Sequence, residues 1–168
     1  MLPVNSLDEK AEILTRVGLF SGLKDNREAL AALSAIMNKV EFSERMVLLT
    51  EGEAGAEFYI LISGQVSVYK KTSENDNYKV AILADKITPG LGEGGLIENE
   101  TRSATVICDR LCQFLVLNRE VFSQFCDQHP AWAIPILKKI SVQLIARLAQ
   151  SNRDILLLHK ALMNEIRG

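Results

Sequence analysis

The sequence predicts a mainly β fold, an antiparallel sandwich, jelly roll or barrel, closed by helices at both ends. Three observations predict it. Short apolar runs separated by turn residues follow one another from Lys39 to Asn118. No helix-length pattern interrupts them, which argues against a parallel α/β sheet. Apolar residues at intervals of three and four occur only before and after this stretch. The chain therefore divides into an N-terminal helical segment, 1–38, a strand-rich segment, 39–117, and C-terminal helices, 118–168. Its 168 residues suit one domain.

Each element follows from local pattern. "LDEKAEILTRV" sets Ile13, Leu14 and Val17 on one side of a first helix, and "DNREALAALSAIM" sets Leu30, Leu33 and Ile36 on a second, with Asp25 as its cap. Between them "GLFSGL" offers Gly18 and Gly22 as breakers and Phe20 as an apolar plug. The runs "VEFSERMVLLTEGE", "AEFYILISGQVSVYKK", "YKVAILA", "RSATVICD" and "LCQFLVLN" read as strands. "KKTSENDNYK" reads as a polar hairpin loop, and Gly52, Gly55 and Gly64 mark corners.

"NREVFSQFCDQ" is helical again, and a longer helix runs from Pro130 to about Ile166. Pro130 suits a first turn, whereas Pro135 restarts the helix or kinks it. Along it Leu137, Ile140, Leu144, Leu148, Ser151, Ile155, Leu158 and Leu162 form one stripe. A helix this long on a small domain cannot bury such a stripe against its own body. A two-stranded seam, and hence a homodimer through residues 130–166, is expected.

Composition excludes several functions. A net charge of -2 supplies no broad cationic field for nucleic acid or an anionic membrane. No apolar run approaches the roughly 18–20 residues that would cross a bilayer. Three cysteines, Cys108, Cys112 and Cys126, are an odd number, and the N-terminus lacks a basic region followed by an apolar core, so a reduced cytoplasmic setting is expected. Cys108 and Cys112 have no histidine nearby and read as structural thiols, so no metal is expected. His129 and His159 lie far apart, and no Ser/His/Asp set, close carboxylate pair or P-loop is present. The sequence carries no catalytic constellation, and no enzyme is expected.

The stretch "GLGEGGLIENETRSATV", Gly90 to Val106, is the chemically suggestive one. It holds four of the ten glycines. Gly92, Gly94 and Gly95 clear side chains from the backbone, leaving N–H groups free for an anion. Arg102 offers a planar fork of donors for two phosphate oxygens, and Glu93 offers acceptors for sugar hydroxyls. A small phosphorylated sugar fits both. An ordinary turn with a surface ion pair fits the same residues.

The run "LGEGGLIENETRSATV", residues 91–106, resembles the phosphate-binding cassette of the cyclic nucleotide-binding domain family, whose pattern is Phe-Gly-Glu-x-Ala-Leu-Leu, a variable loop, then Pro-Arg-Ser/Ala/Thr-Ala-Thr-Val. Gly92, Glu93, Leu96, Arg102, Ser103, Ala104, Thr105 and Val106 match in register. "GLFSGL", "TEGEAGAEFYILISGQVSVYK" and "LVLNREVF" also resemble the family. Leu91, Gly94, Thr101, Thr88-Pro89 and Arg45 depart from its usual residues.

The resemblance implies a double-stranded β-helix, the jelly-roll β-roll, and a ligand-binding role for residues of the cassette. Glu93 would accept the ribose 2′-OH and Arg102 would pair with the exocyclic phosphate oxygens. Gly92, Gly95 and Leu96 would approach through backbone, beside the Ser103 hydroxyl and Ala104. "ILKKISVQLIARLAQSN" resembles the dimer helix of the catabolite activator branch of that family. Ser151 and Asn152 fall where that branch contacts the base.

The expected function is thus a cyclic nucleotide-binding sensor, cAMP ahead of cGMP, that signals through its C-terminal helix to an unidentified effector protein. The alternative is a β-roll dimerisation module that no longer binds nucleotide. A DNA-binding regulator would need a helix-turn-helix after the long helix, and the sequence ends at Gly168.

Overall fold

The computed structural model describes residues 7–72, 76–98 and 100–167, with backbone alone for Glu100 and Arg167. Residues 1–6 of the helical segment, Ser73, Glu74 and Asn75 of the hairpin loop, Asn99 of the cassette and Gly168 lie outside the described residues.

Two helices, α1 (Leu7–Arg16) and α2 (Arg27–Ala35), open the chain. Asn26, rather than Asp25, caps α2, its side chain accepting from the Ala29 N–H at 3.0 Å. "GLFSGL" is a 3-10 helix, Gly18–Leu23, rather than a break. Its Phe20 is fully buried and meets Phe58 edge-on, with ring centroids 6.1 Å apart. Plugging by Phe20 needs an ordered backbone, and the 3-10 turns provide one.

The strands are β1 (Asn38–Phe42), β2 (Val47–Leu49), β3 (Ala54–Gly55), β4 (Glu57–Ser63), β5 (Gln65–Lys71), β6 (Asn77–Ala84), β7 (Gly90–Leu91), β8 (Glu100–Thr101), β9 (Thr105–Cys108) and β10 (Cys112–Asn118). They form two four-stranded antiparallel sheets, ordered β1-β10-β4-β7 and β2-β9-β5-β6, with β3 and β8 as a separate pair. Between the sheets lie Leu61, Val66, Val106, Cys108 and Phe114, where alternate side chains of each strand meet. The outer face of the first sheet, including Phe58, Ile60, Leu115 and Leu117, is covered by the helices. This is the jelly-roll β-roll with helices at both ends that the sequence predicts.

Helices α3 (Arg119–Gln128) and α4 (Pro130–Arg167) close the chain. Pro135 does not restart α4, which is one helix of 38 residues with the proline inside it. Its ring rests on Gly22, where a Cβ would stand 2.7 Å from the Pro135 Cβ. Gly22 is therefore a seat for α4 and sits within the 3-10 helix rather than breaking it.

Ala133, Ile136 and Ile140 anchor the base of α4 in the core. Beyond them the predicted stripe is uncovered, with Leu144 42%, Leu148 63%, Ile155 59%, Leu158 70% and Leu162 56% exposed. Among the described residues no helix is long and apolar enough to cross a membrane, and no group of three or more His, Cys, Asp or Glu could hold a metal ion.

Candidate functional site

The cassette begins at β7 and turns sharply at Gly92, whose φ of 80° is left-handed. A side chain there would be strained by that φ and would strike the Arg102 guanidinium. The chain then makes one 3-10 turn, Glu93–Leu96, and returns through β8 to Arg102. Pairing of β8 with β3 sets Thr101 opposite Ala54. The Arg102 N–H donates to the Glu53 carbonyl at 2.8 Å, and the Arg102 carbonyl accepts from the Gly52 N–H at 3.0 Å. The arginine backbone is thus fixed on both sides by the corner between β2 and β3.

Its side chain is 7% exposed, unusual for a charge that never titrates in the physiological range. Nη1 donates to the Gly92 carbonyl at 3.2 Å and Nη2 to the Glu57 carbonyl at 2.8 Å. The Glu57 carboxylate stands 3.6 Å from Nη2. Gly55, Gly92 and Gly95 wall the guanidinium, and a Cβ on Gly95 would stand 2.6 Å from the Gly55 carbonyl oxygen. Bare backbone lets a full guanidinium enter. Two of its five N–H donors serve these carbonyls, so the fork retains capacity for an anion. Burial and Glu57 push the nearby Tyr59 phenol upward from its ordinary value, and Arg102 offsets part of that rise.

Glu93 faces the same space and pairs with Arg147 of α4, Oε1 to Nη2, at 2.8 Å. The cavity that these groups enclose measures about 300 Å³, the lower end of the range of roughly 300–1,000 Å³ for small-molecule sites. Its walls are apolar and come from the second sheet and β7, with Leu49, Val68, Leu83 and Leu91 among them. Gly92, Glu93, Arg102, Ser103 and Ala104 all line it, together with Gly94 and Thr101. An apolar slot with one buried cation, one carboxylate and two hydroxyl residues can hold a small anion that also carries sugar hydroxyls and a flat apolar part.

The other sequence-predicted residues lie elsewhere. Gly95 is buried behind Arg102, and the Leu96 side chain joins the core shared with the helices. Ser151 and Asn152 are exposed and do not line the cavity in the single chain. α4 instead reaches the cavity through Arg147, one turn earlier, a residue that sequence reasoning passed over. Its signal was weak: a cation beside the apolar stripe, four residues before Ser151.

The fold is a β-roll, and the site sets a buried guanidinium and a carboxylate on one apolar-walled cavity. The pattern of the cyclic nucleotide-binding domain matches residues 39–129, more than half of the chain, and the chain belongs to that family. It is similar to the "CRP-like cAMP-activated global transcriptional regulator" of Mycobacterium tuberculosis, 28% identical over 146 residues, which are 86% of this chain and 61% of that protein. The chain thus spans less than two thirds of that relative's length. A cyclic nucleotide-binding domain from Methylobacillus flagellatus superposes with a TM-score of 0.71 at 25% identity, covering 89% of this chain and 82% of that one. The catabolite activator protein of Thermus thermophilus shares the fold, with a TM-score of 0.72, 20% identity and coverage of 84% and 62%.

Proposed function

We propose that this chain is a regulatory sensor that binds a cyclic nucleotide, cAMP ahead of cGMP, in the cavity beside Arg102. The observation that carries the reading is the convergence of Arg102, Glu93 and Ser103 on one apolar-walled cavity. Arg102 pairs with the phosphate oxygens, Glu93 accepts the ribose 2′-OH and Ser103 adds a hydroxyl contact, while Gly92 approaches through backbone. Each charge-assisted bond contributes about 1.5–3 kcal/mol when buried. Ser151 and Asn152 close over the base in a homodimer whose seam is the α4 stripe, and the occupied site biases α4 toward a partner in the cytoplasm.

Isothermal titration with cAMP and cGMP tests the reading. Heat and a thermal shift with at least one of them, abolished in Arg102→Ala, are the expected result. No response to either at millimolar concentration would sink it.

A second reading has its own support. The Arg102 fork already has two carbonyl acceptors and Glu93 already has Arg147, so these charged groups are partnered without a ligand. A dimerisation module built this way would ignore nucleotides and tolerate Glu93→Gln without change.

A further inference from the structure

Beyond Arg147, from Leu148 to Ile166, every described side chain of α4 except the half-buried Met163 is exposed, so this half of the helix stands clear of its own domain. Its seam residues, Leu148, Ile155 and Leu162 alternating with Leu144, Ser151 and Leu158, satisfy a two-stranded coil. The apolar surface does not stop there. Ala149, Leu156 and Met163 repeat at seven-residue intervals beside the seam, and the column between the two rows is Ile145, Asn152, His159 and Ile166, apolar at its ends and polar in its middle, so the second row is set apart from the seam there. At 100° per residue the combined sector is roughly 160° wide. A two-stranded coil needs only the narrow seam, so the second row calls for another neighbour.

The edge of that second row carries charge of one sign. Arg153 and Lys160, seven residues apart, form the column immediately beyond Leu156 and Met163, on the side away from the seam. Both are exposed. A helix lying along Ala149, Leu156 and Met163 would pass this basic column over its whole contact. An acidic flank on the incoming helix complements it, whereas a basic flank would be repelled. A second copy of α4 offers a poorer match, because antiparallel packing on this row sets Arg153 and Lys160 against their own kind, and parallel packing sets them against Ile145, Asn152, His159 and Ile166, a column without a carboxylate.

Resting on the sensor reading above, we infer that the row Ala149, Leu156 and Met163, edged by Arg153 and Lys160, docks an amphipathic helix with an acidic flank, supplied by the protein that reads this sensor. The binding mode is helix on groove, with the apolar row giving affinity and the basic column giving orientation.

The test uses the full chain and two synthetic peptides, each a three-heptad helix with leucine at its apolar positions, one flanked by glutamate and the other by lysine. Fluorescence anisotropy is expected to show the glutamate peptide binding at least about tenfold more tightly than the lysine peptide at low salt. The gap should close in about 1 M salt, where the screening length is only about 3 Å. Leu156→Glu and Lys160→Glu should each weaken the glutamate peptide at least about tenfold, while light scattering shows the same oligomer as the unaltered chain.

Equal binding of both peptides, or binding unchanged in Leu156→Glu, would overturn the proposal. So would a tetramer that Leu156→Glu reduces to a dimer, since a second copy would then occupy the row. Failure of cAMP and cGMP to bind the same preparation would refute the sensor reading, and it is scored separately from the peptide result.

Discussion

Glu93 and Arg147 link the cassette to the long helix by an ion pair, with Oε1 2.8 Å from Nη2. They stand on elements 54 positions apart in the chain. The carboxylate is 14% exposed and the guanidinium 56%, so solvent screens the pair from one side. A double-mutant cycle with Glu93→Gln and Arg147→Met in urea should therefore return a coupling of about 0.5–1 kcal/mol or less. A coupling of several kcal/mol would mean that the pair is more enclosed than the half-exposed arginine implies.

Arg102 should behave differently, because its surroundings are closed. Arg102→Ala leaves the Gly92 and Glu57 carbonyls without this donor and opens a void among three glycines, and should cost about 2–4 kcal/mol in chemical denaturation. Arg102→Lys keeps the charge but cannot reproduce the fork, and should recover less than half of that loss. Full recovery by lysine would show that charge alone matters there.

Thr88 and Arg45 hold φ values of 46° and 67°, a left-handed conformation that β-branched and long side chains rarely adopt. Glycine removes the clash, worth about 1–2 kcal/mol, but loses about 0.5–1 kcal/mol to the greater freedom of the unfolded chain. Thr88→Gly and Arg45→Gly should each gain up to about 1 kcal/mol, which raises Tm by about 2–4 °C in a chain of this size. Scanning calorimetry would decide it, and a lowered Tm would mean that these side chains make contacts outweighing the strain.

The Cys108 thiol is fully buried, and desolvation first, then the neighbouring Cys112, push its pKa from 9.0 to about 12. Below pH 9 both folded and unfolded chains keep the proton. Between there and pH 12 only the unfolded chain ionises, so this group's contribution to stability falls by up to about 1.4 kcal/mol per pH unit. Cys108→Ala should start less stable at neutral pH, through its cavity, and lose less as pH rises. Parallel slopes for the two proteins in alkaline urea titrations would contradict the assignment.

The site was legible in the sequence wherever it is contiguous. Gly92, Glu93, Arg102, Ser103 and Ala104 sit within thirteen positions, and their spacing is fixed by one short turn and one strand pair. Local chemistry left an ordinary turn open, and the resemblance of the contiguous run to the family's cassette grouped them. Arg147 escaped because its place at the cavity depends on how α4 lies across the roll, and that is set by the packing of Ala133, Ile136 and Ile140. Ser151 and Asn152 were chosen from the same helix, and a single chain leaves both exposed.

The fold shows the same division. Alternating runs identified the strands, since one face of each must be buried, and the seven-residue repeat identified α4. The sheet order, with β10 between β1 and β4, is tertiary and left no local trace. The sequence offered a restart or a kink of α4 at Pro135, and the helix does not restart there. A proline near the base of a long helix lacks one hydrogen bond, and here the ring packs on Gly22 while buried neighbours hold the turn.

That contact between Pro135 and Gly22 makes α4 a lever. From Pro135 to Ile166 the helix extends for about 46 Å at 1.5 Å per residue, so a tilt of about 5° at the proline would sweep the far end through about 4 Å. Displacements too small to notice at the cavity become large where a partner would read them. Gly22 has no side chain of its own to yield, so any larger residue there would shift the fulcrum itself and change the resting angle of the whole arm.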